Sequence, residues 1–134
     1  MSFKSALVKD YMSGKLVTFT PDTDVLDAIH ELLQHRIAGA PVIDDHGNLV
    51  GMLSEFDCMK VVLTSGYHSE PGGPVSELMV TDVKTVDAGM SIVDMAELFL
   101  ESGIRRYPVL KDNRLVGQIS RRDVLRALGE ISRH

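Results

Sequence analysis

Two stretches decide how this chain is read: Gly51-Met52-Leu53-Ser54-Glu55-Phe56-Asp57 and Gly117-Gln118-Ile119-Ser120-Arg121-Arg122-Asp123. Each begins with a glycine, alternates apolar with other residues as a half-buried strand does, and reaches a serine followed three positions later by an aspartate. Beyond the serine the apolar spacing turns helical, through Phe56, Met59, Val61 and Leu63 in one copy and Val124, Leu125, Ala127 and Leu128 in the other. A strand therefore runs straight into the first turn of a helix. The leading amides of a helix lack intrahelical partners and the macrodipole is positive there, so such a turn suits an anion. The same Ser-x-x-Asp spacing is that of a helix capping box, and both readings stand at this level.

Working outward, the two stretches are parts of a longer internal repeat. Shifting the sequence by 67 positions pairs Val8 with Val75, Met12 with Met79, Thr18 with Thr85, Asp27 with Asp94, Ile37 with Ile104 and Pro41 with Pro108. After one residue is dropped near Gly47 the shift becomes 66, which pairs Gly51, Ser54 and Asp57 with Gly117, Ser120 and Asp123. The units span residues 8–63 and 75–128, with 64–74 between them. Half of a 134-residue chain buries little apolar surface alone, so the halves are expected to complete one another's core.

Each unit reads as β-α-β-β-α behind a short apolar turn (Leu7, Val8, Tyr11, Met12; Val75, Leu78, Met79). A brief strand is predicted over Leu16 to Phe19 and Val83 to Val86. A helix follows, with a predicted buried stripe of Val25, Leu26, Ile29, Leu32 and Leu33, matched by Ile92, Val93, Ala96, Phe99 and Leu100. Asp24 and Ser91 are its N-caps. Two hairpin strands come next, around Ala40 to Ile43 and Leu49 to Leu53, and around Tyr107 to Leu110 and Leu115 to Ile119. The Ser-x-x-Asp turn starts the closing helix. The joint TSGYHSEPGGP at 64–74 reads as a flexible surface connection, and the tail after Leu128 as a frayed end. The fold class is α/β (α+β).

Composition is that of a globular protein, 44% hydrophobic and 25% charged. A net charge of −5 argues against a nucleic-acid partner held on a basic face. No apolar run approaches the roughly 18 residues of a membrane span, and the N-terminus lacks a signal-peptide core. Cys58 is the lone cysteine, which fits a reducing cytoplasm.

The repeated Thr18 and Thr85, the Ile-x-x-x-Pro-Val segments 37–42 and 104–109, and the segments 49–57 and 115–123 together resemble a cystathionine-β-synthase (CBS) domain pair, or Bateman module. The resemblance covers residues 8 to 128. It implies two units packed about a pseudo-twofold axis, with clefts between them that bind AMP, ADP or ATP, or else S-adenosylmethionine or NAD. By that resemblance Asp57 and Asp123 take ribose, and Ser54 and Ser120 take phosphate. The base falls to Val17, Thr18, Lys84, Thr85, the run Ala38, Gly39, Ala40, Pro41 and the run Arg105, Arg106, Tyr107, Pro108. Such modules also commonly pair into homodimers. The expected role is regulatory, with no catalytic residue, no metal and no membrane. The alternative is a dimerisation or partner-docking scaffold that takes no ligand.

The two copies differ in charge. Residues 8–63 carry 4 basic and 9 acidic side chains; residues 75–128 carry 8 of each. Arg105, Arg106, Arg121 and Arg122 stand where the first copy has Ala38, Gly39, Glu55 and Phe56. An arginine grips phosphate with two donors at once, so the Ser120/Asp123 turn is expected to hold phosphorylated ligands more tightly. Such an arginine could equally serve the other cleft, and Arg121 and Arg126 also read as solvated surface charge. Tyr107 reads either as a stacking platform or as a core aromatic, and Cys58 as a small buried hydrophobe. His30, His35, His46, His68 and His134 show no metal-ligand spacing.

Overall fold

The computed structural model describes residues 5–65 and 72–132. They form two compact units that cut across the sequence repeats: 17–65 with 72–83, and 5–16 with 84–132. Each unit thus takes its leading apolar turn from the other repeat. Helix α1 (Val8–Tyr11) belongs with the second copy, and the 3-10 turn Val75–Glu77 with the first. The exchange is written in the backbone. Val8 N donates to Met90 O at 2.8 Å, and its counterpart Val75 N donates to Thr23 O at 2.8 Å.

In the first-copy unit, α2 (Val25–His35) starts on Asp24, whose carboxylate accepts from the Leu26 amide at 3.1 Å. It is followed by β1 (Gly39–Ile43), paired antiparallel with β2 (Leu49–Ser54). The closing segment is broken into α3 (Glu55–Cys58) and α4 (Lys60–Ser65). In the other unit β3 (Val86–Asp87) runs parallel to β4 (Arg106–Lys111), which pairs antiparallel with β5 (Arg114–Ser120). Helix α5 (Ile92–Ser102) starts on Ser91 and ends on Gly103 at φ 71°; α6 (Arg121–Ile131) is continuous. The β4–β5 turn holds Asp112 and Asn113 at φ 52° and 66°, the left-handed pair of a two-residue hairpin.

Three expectations are corrected. The early strand is a single pair at Phe19↔Val42 in one unit and two residues, Val86–Asp87, in the other. Residues 14–18 and 81–85 carry the chain from one unit into the next and form no ladder there. The helix stripe is narrower than the spacing implies. Val25, Ala28 and Leu32 are buried in α2, as are Ile92, Met95 and Phe99 in α5, while Leu33 and Leu100 stand 73% and 87% exposed. Only one side of each helix lies on a small sheet, so the outer flank of the stripe stays uncovered. Finally, α6 continues past Leu128 to Ile131, which packs against the core. Of the 64–74 joint, residues 66–71 lie outside the described residues. Gly73 and Pro74 are tied to the α2 start, Val25 N donating to Gly73 O at 2.9 Å. No helix among the described residues is long and apolar enough to cross a membrane.

Candidate functional site

Each hairpin delivers its last residue, a serine, to the first turn of a helix. Both turns close as full capping boxes. Asp57 N donates to Ser54 Oγ at 3.1 Å, while Ser54 N and Ser54 Oγ donate to Asp57 Oδ2 at 3.0 and 2.8 Å. In the second copy Asp123 N donates to Ser120 Oγ at 3.3 Å, and Ser120 N and Oγ donate to Asp123 Oδ2 at 2.8 and 3.1 Å. The next amide along is satisfied as well: Glu55 N reaches Ala38 O at 2.7 Å and Arg121 N reaches Arg105 O at 3.4 Å.

This corrects the picture of an open helix start. Among the described residues only the amides of Phe56 and Arg122 are left without a partner in these turns. Attraction for an anion by bare N–H groups is reduced to one donor per turn, and side chains must supply the rest. The aspartates do cap, and what they leave over is Oδ1. Lys60 Nζ lies 3.4 Å from Asp57 Oδ1, and Arg126 Nη2 lies 3.5 Å from Asp123 Oδ1. These distances are long for charge-assisted bonds, so the outer carboxylate oxygen is incompletely held. The Asp57 side chain is 6% exposed and that of Asp123 20%. Both face a single cation three residues on, a spacing visible in the sequence and overlooked there.

The hairpin register places the other candidates. Arg106 stands directly opposite Ser120 in the β4–β5 ladder, and Gly39 opposite Ser54 in β1–β2. Directly opposed residues project from the same face, so Arg106 shares a face with the serine. A Cβ at Gly39 would lie 2.9 Å from Leu53 O, leaving no room for a side chain without a backbone shift. Arg105, Arg106 and Arg122 are exposed and make no side-chain hydrogen bond or ion pair among the described residues. Arg121 does not join them. Its Nη2 donates to Gly103 O at 3.1 Å, drawing the guanidinium to the end of α5.

Tyr107 proves to be a core aromatic. It is 2% exposed, its ring lies 5.4 Å from that of Phe99, and its hydroxyl donates to Ser102 Oγ at 2.7 Å, so it offers no face to a base. Ala40, Pro41 and Pro108 are buried, which leaves backbone as what they can present. Val17 and Thr18 are half-buried; Ala38, Lys84 and Thr85 are exposed. Cys58 is buried, and burial, with the Asp57 charge adding, pushes its thiol up; it behaves as a small hydrophobe. His30, His35 and His46 are exposed; His68 and His134 lie outside the described residues.

Two repeats of one hairpin-to-helix turn match a known pattern. That of the CBS domain fits residues 8–64 and again 75–130. The chain belongs to the CBS domain family. As a CBS pair it has close structural likenesses. The crystal structure of CBSX2 in complex with AMP shares 33% identity at a TM-score of 0.81, over 95% of this chain and 98% of that one. CBSX2 of Arabidopsis thaliana is a chloroplastic CBS domain-containing protein. The CBS domain pair of protein MJ0100, in complex with 5′-methylthioadenosine and S-adenosyl-L-methionine, shares 27% identity at a TM-score of 0.74, over 93% of this chain and 97% of that one. CBS domain-containing protein YhcV of Bacillus subtilis is 32% identical over 87% of this chain and 81% of its own length. The CBS pair spans 42% of the length of another curated relative.

Proposed function

We propose that this CBS pair is a regulatory module that binds an adenosine-containing ligand, AMP, ADP or ATP before S-adenosylmethionine or NAD, and performs no chemistry itself. The observation that carries the reading is the outer oxygen of each capping aspartate, turned toward one loosely placed cation. A ribose diol can donate to that oxygen without dismantling the helix cap. That CBSX2 binds AMP and MJ0100 binds S-adenosyl-L-methionine supports the ligand class. The Ser120/Asp123 turn, with Arg106 on the serine's face and Arg122 beside it, is the better phosphate site. The Ser54/Asp57 turn carries Glu55 in place of arginine and suits an uncharged or cationic adenosyl group. Occupancy biases the module only through unequal affinity for its arrangements.

A second reading, a dimerisation or docking scaffold with no ligand, draws on the exposed apolar residues. Leu33, Phe56, Met59 and Leu63 in one unit and Leu100 and Leu125 in the other are each more than 60% exposed. In the second-copy unit Phe99, Leu100, Val124, Leu125 and Leu128 line a groove of about 470 Å³ between α5 and α6. We assign these faces to pairing with a second copy, which is compatible with either reading. Sedimentation of Leu33→Glu and Leu100→Glu checks it, with dissociation expected.

A thermal-shift and calorimetric screen of AMP, ADP, ATP, S-adenosylmethionine and NAD separates the two readings. At a hundredfold excess over Kd a ligand adds about 2.7 kcal/mol of stability. No heat and no shift with any of the five leaves the scaffold.

A further inference from the structure

Arg126 does more than face Asp123. Its Nη2 donates to the Tyr11 carbonyl at 2.7 Å, its guanidinium lies 5.4 Å from the centre of the Tyr11 ring, and its Nη1 is 3.9 Å from Glu130. Tyr11 is the last residue of α1, 7% exposed. Burial, then the nearby Glu130 carboxylate, pushes its phenol above the ordinary value. One guanidinium therefore touches both the candidate ribose carboxylate and the end of the segment that the first repeat lends to this unit.

Among the described residues the first-copy unit has no such arrangement. Repeat alignment places Lys60 at the position of Arg126 and Leu78 at that of Tyr11. Lys60 meets Asp57, but Leu78 is an apolar residue packed on the core and offers no ring to a cation. A lysine ammonium is also a single point charge, whereas a guanidinium donates in several directions from one plane. Both members of the contact differ together between the copies.

We infer that Arg126 is a latch that couples occupancy of the Ser120/Asp123 turn to helix α1, and that the Ser54/Asp57 turn lacks this link. The inference rests on the reading of Asp123 as the ribose carboxylate. A diol donating to Asp123 Oδ1 supplies the protons that the 3.5 Å contact to Arg126 supplies only weakly. Arg126 then loses one of its anchors, and its hold on the Tyr11 carbonyl and ring is readjusted. Helix α1 is a sensitive place to feel this. Val8 and Lys9 amides bind Met90 and Ala88 carbonyls, and Met12 N binds Val8 O, so any loosening exposes amides that are otherwise protected.

The test is hydrogen exchange over residues 8–12 and 75–79 with and without AMP, alongside calorimetry, in the unaltered protein and in Arg126→Lys and Lys60→Met. In the ligand-free protein Arg126→Lys is expected to speed exchange over 8–12 by about tenfold, the effect of losing one charge-assisted hydrogen bond. Lys60→Met is expected to leave 75–79 unchanged. AMP is expected to alter exchange over 8–12 in the unaltered protein, and Arg126→Lys to bind AMP while losing that response. A response at 8–12 that persists in Arg126→Lys, with binding confirmed by heat, overturns the latch alone. Absence of AMP heat from the unaltered protein overturns the ligand reading and the coupling with it. The ligand-free comparison still reports separately whether Arg126 fastens α1.

Discussion

Arg106 and Ser120 face one another across the β4–β5 ladder, and the corresponding pair in the other repeat is Gly39 and Ser54. One repeat thus carries a cation on the same face as its helix-capping serine, and the other carries backbone too crowded to accept one. On the proposed reading, the asymmetry sets which ligand each turn would accept.

Arg106→Gly is expected to weaken AMP about tenfold or more, as loss of a hydrogen bond to a charged group does, and to leave adenosine nearly unaffected. Calorimetry with the two ligands reads the difference. Equal losses for both would show that Arg106 does not meet the phosphate.

The capping role of each turn and its proposed binding role come apart in two pairs of variants. Ser54→Ala and Ser120→Ala remove the acceptor for the Asp57 and Asp123 amides, costing about 1 kcal/mol each in urea unfolding. Asp57→Ala is expected to cost more than Asp123→Ala. Each change strips the partner from two part-buried donors, but the Asp57 side chain is 6% exposed against 20% at Asp123. AMP affinity is expected to fall with Asp123→Ala. AMP binding untouched by that change would remove the Ser120/Asp123 turn as the phosphate-preferring site.

Two glycines with the same substitution should move stability in opposite directions. A Cβ at Gly117 would lie 2.7 Å from both Met12 Sδ and Ser13 O, and the Ser13 backbone is pinned by paired hydrogen bonds to Gln118 at 2.9 Å. Gly117→Ala is expected to destabilise by about 1–3 kcal/mol. Gly129 sits within α6 with nothing near its Cβ position, and Gly129→Ala is expected to stabilise by roughly 0.5–1 kcal/mol. Thermal unfolding of both variants checks the pair.

The β1–β2 turn has a pH signature. A hydrogen bond from the Asn48 amide, with smaller help from the His46 amide, holds the Asp44 carboxyl below its ordinary range despite partial burial. The folded value lies below the unfolded one. The stabilisation is therefore present above about pH 4, the unfolded value, and is lost as pH falls through the folded value. The gap in urea midpoint between the unaltered protein and Asp44→Ala is expected to be constant at neutral pH and to narrow below about pH 4. A gap independent of pH would show that the turn does not depend on the charge.

Local chemistry made much of this protein legible without coordinates. Two copies of a glycine-led strand, a serine and an aspartate specified a hairpin feeding a capped helix, because ladder register and capping are decided within a few residues. The caps at Asp24 and Ser91 were readable for the same reason. Other features depended on what lies across space. Spacing alone could not tell that Leu33 and Leu100 stay exposed while Ala28 and Met95 are buried, since the width of a buried stripe is set by the surface it meets. Nor could it tell that Tyr107 belongs to the core or that Arg121 bonds the end of α5. Arg126 meeting Tyr11, 115 positions away, follows from the exchange of leading segments between repeats. That exchange is a tertiary choice: each half-repeat is too small to cover its own sheet, and the segment that covers it comes from whichever copy the chain path brings alongside.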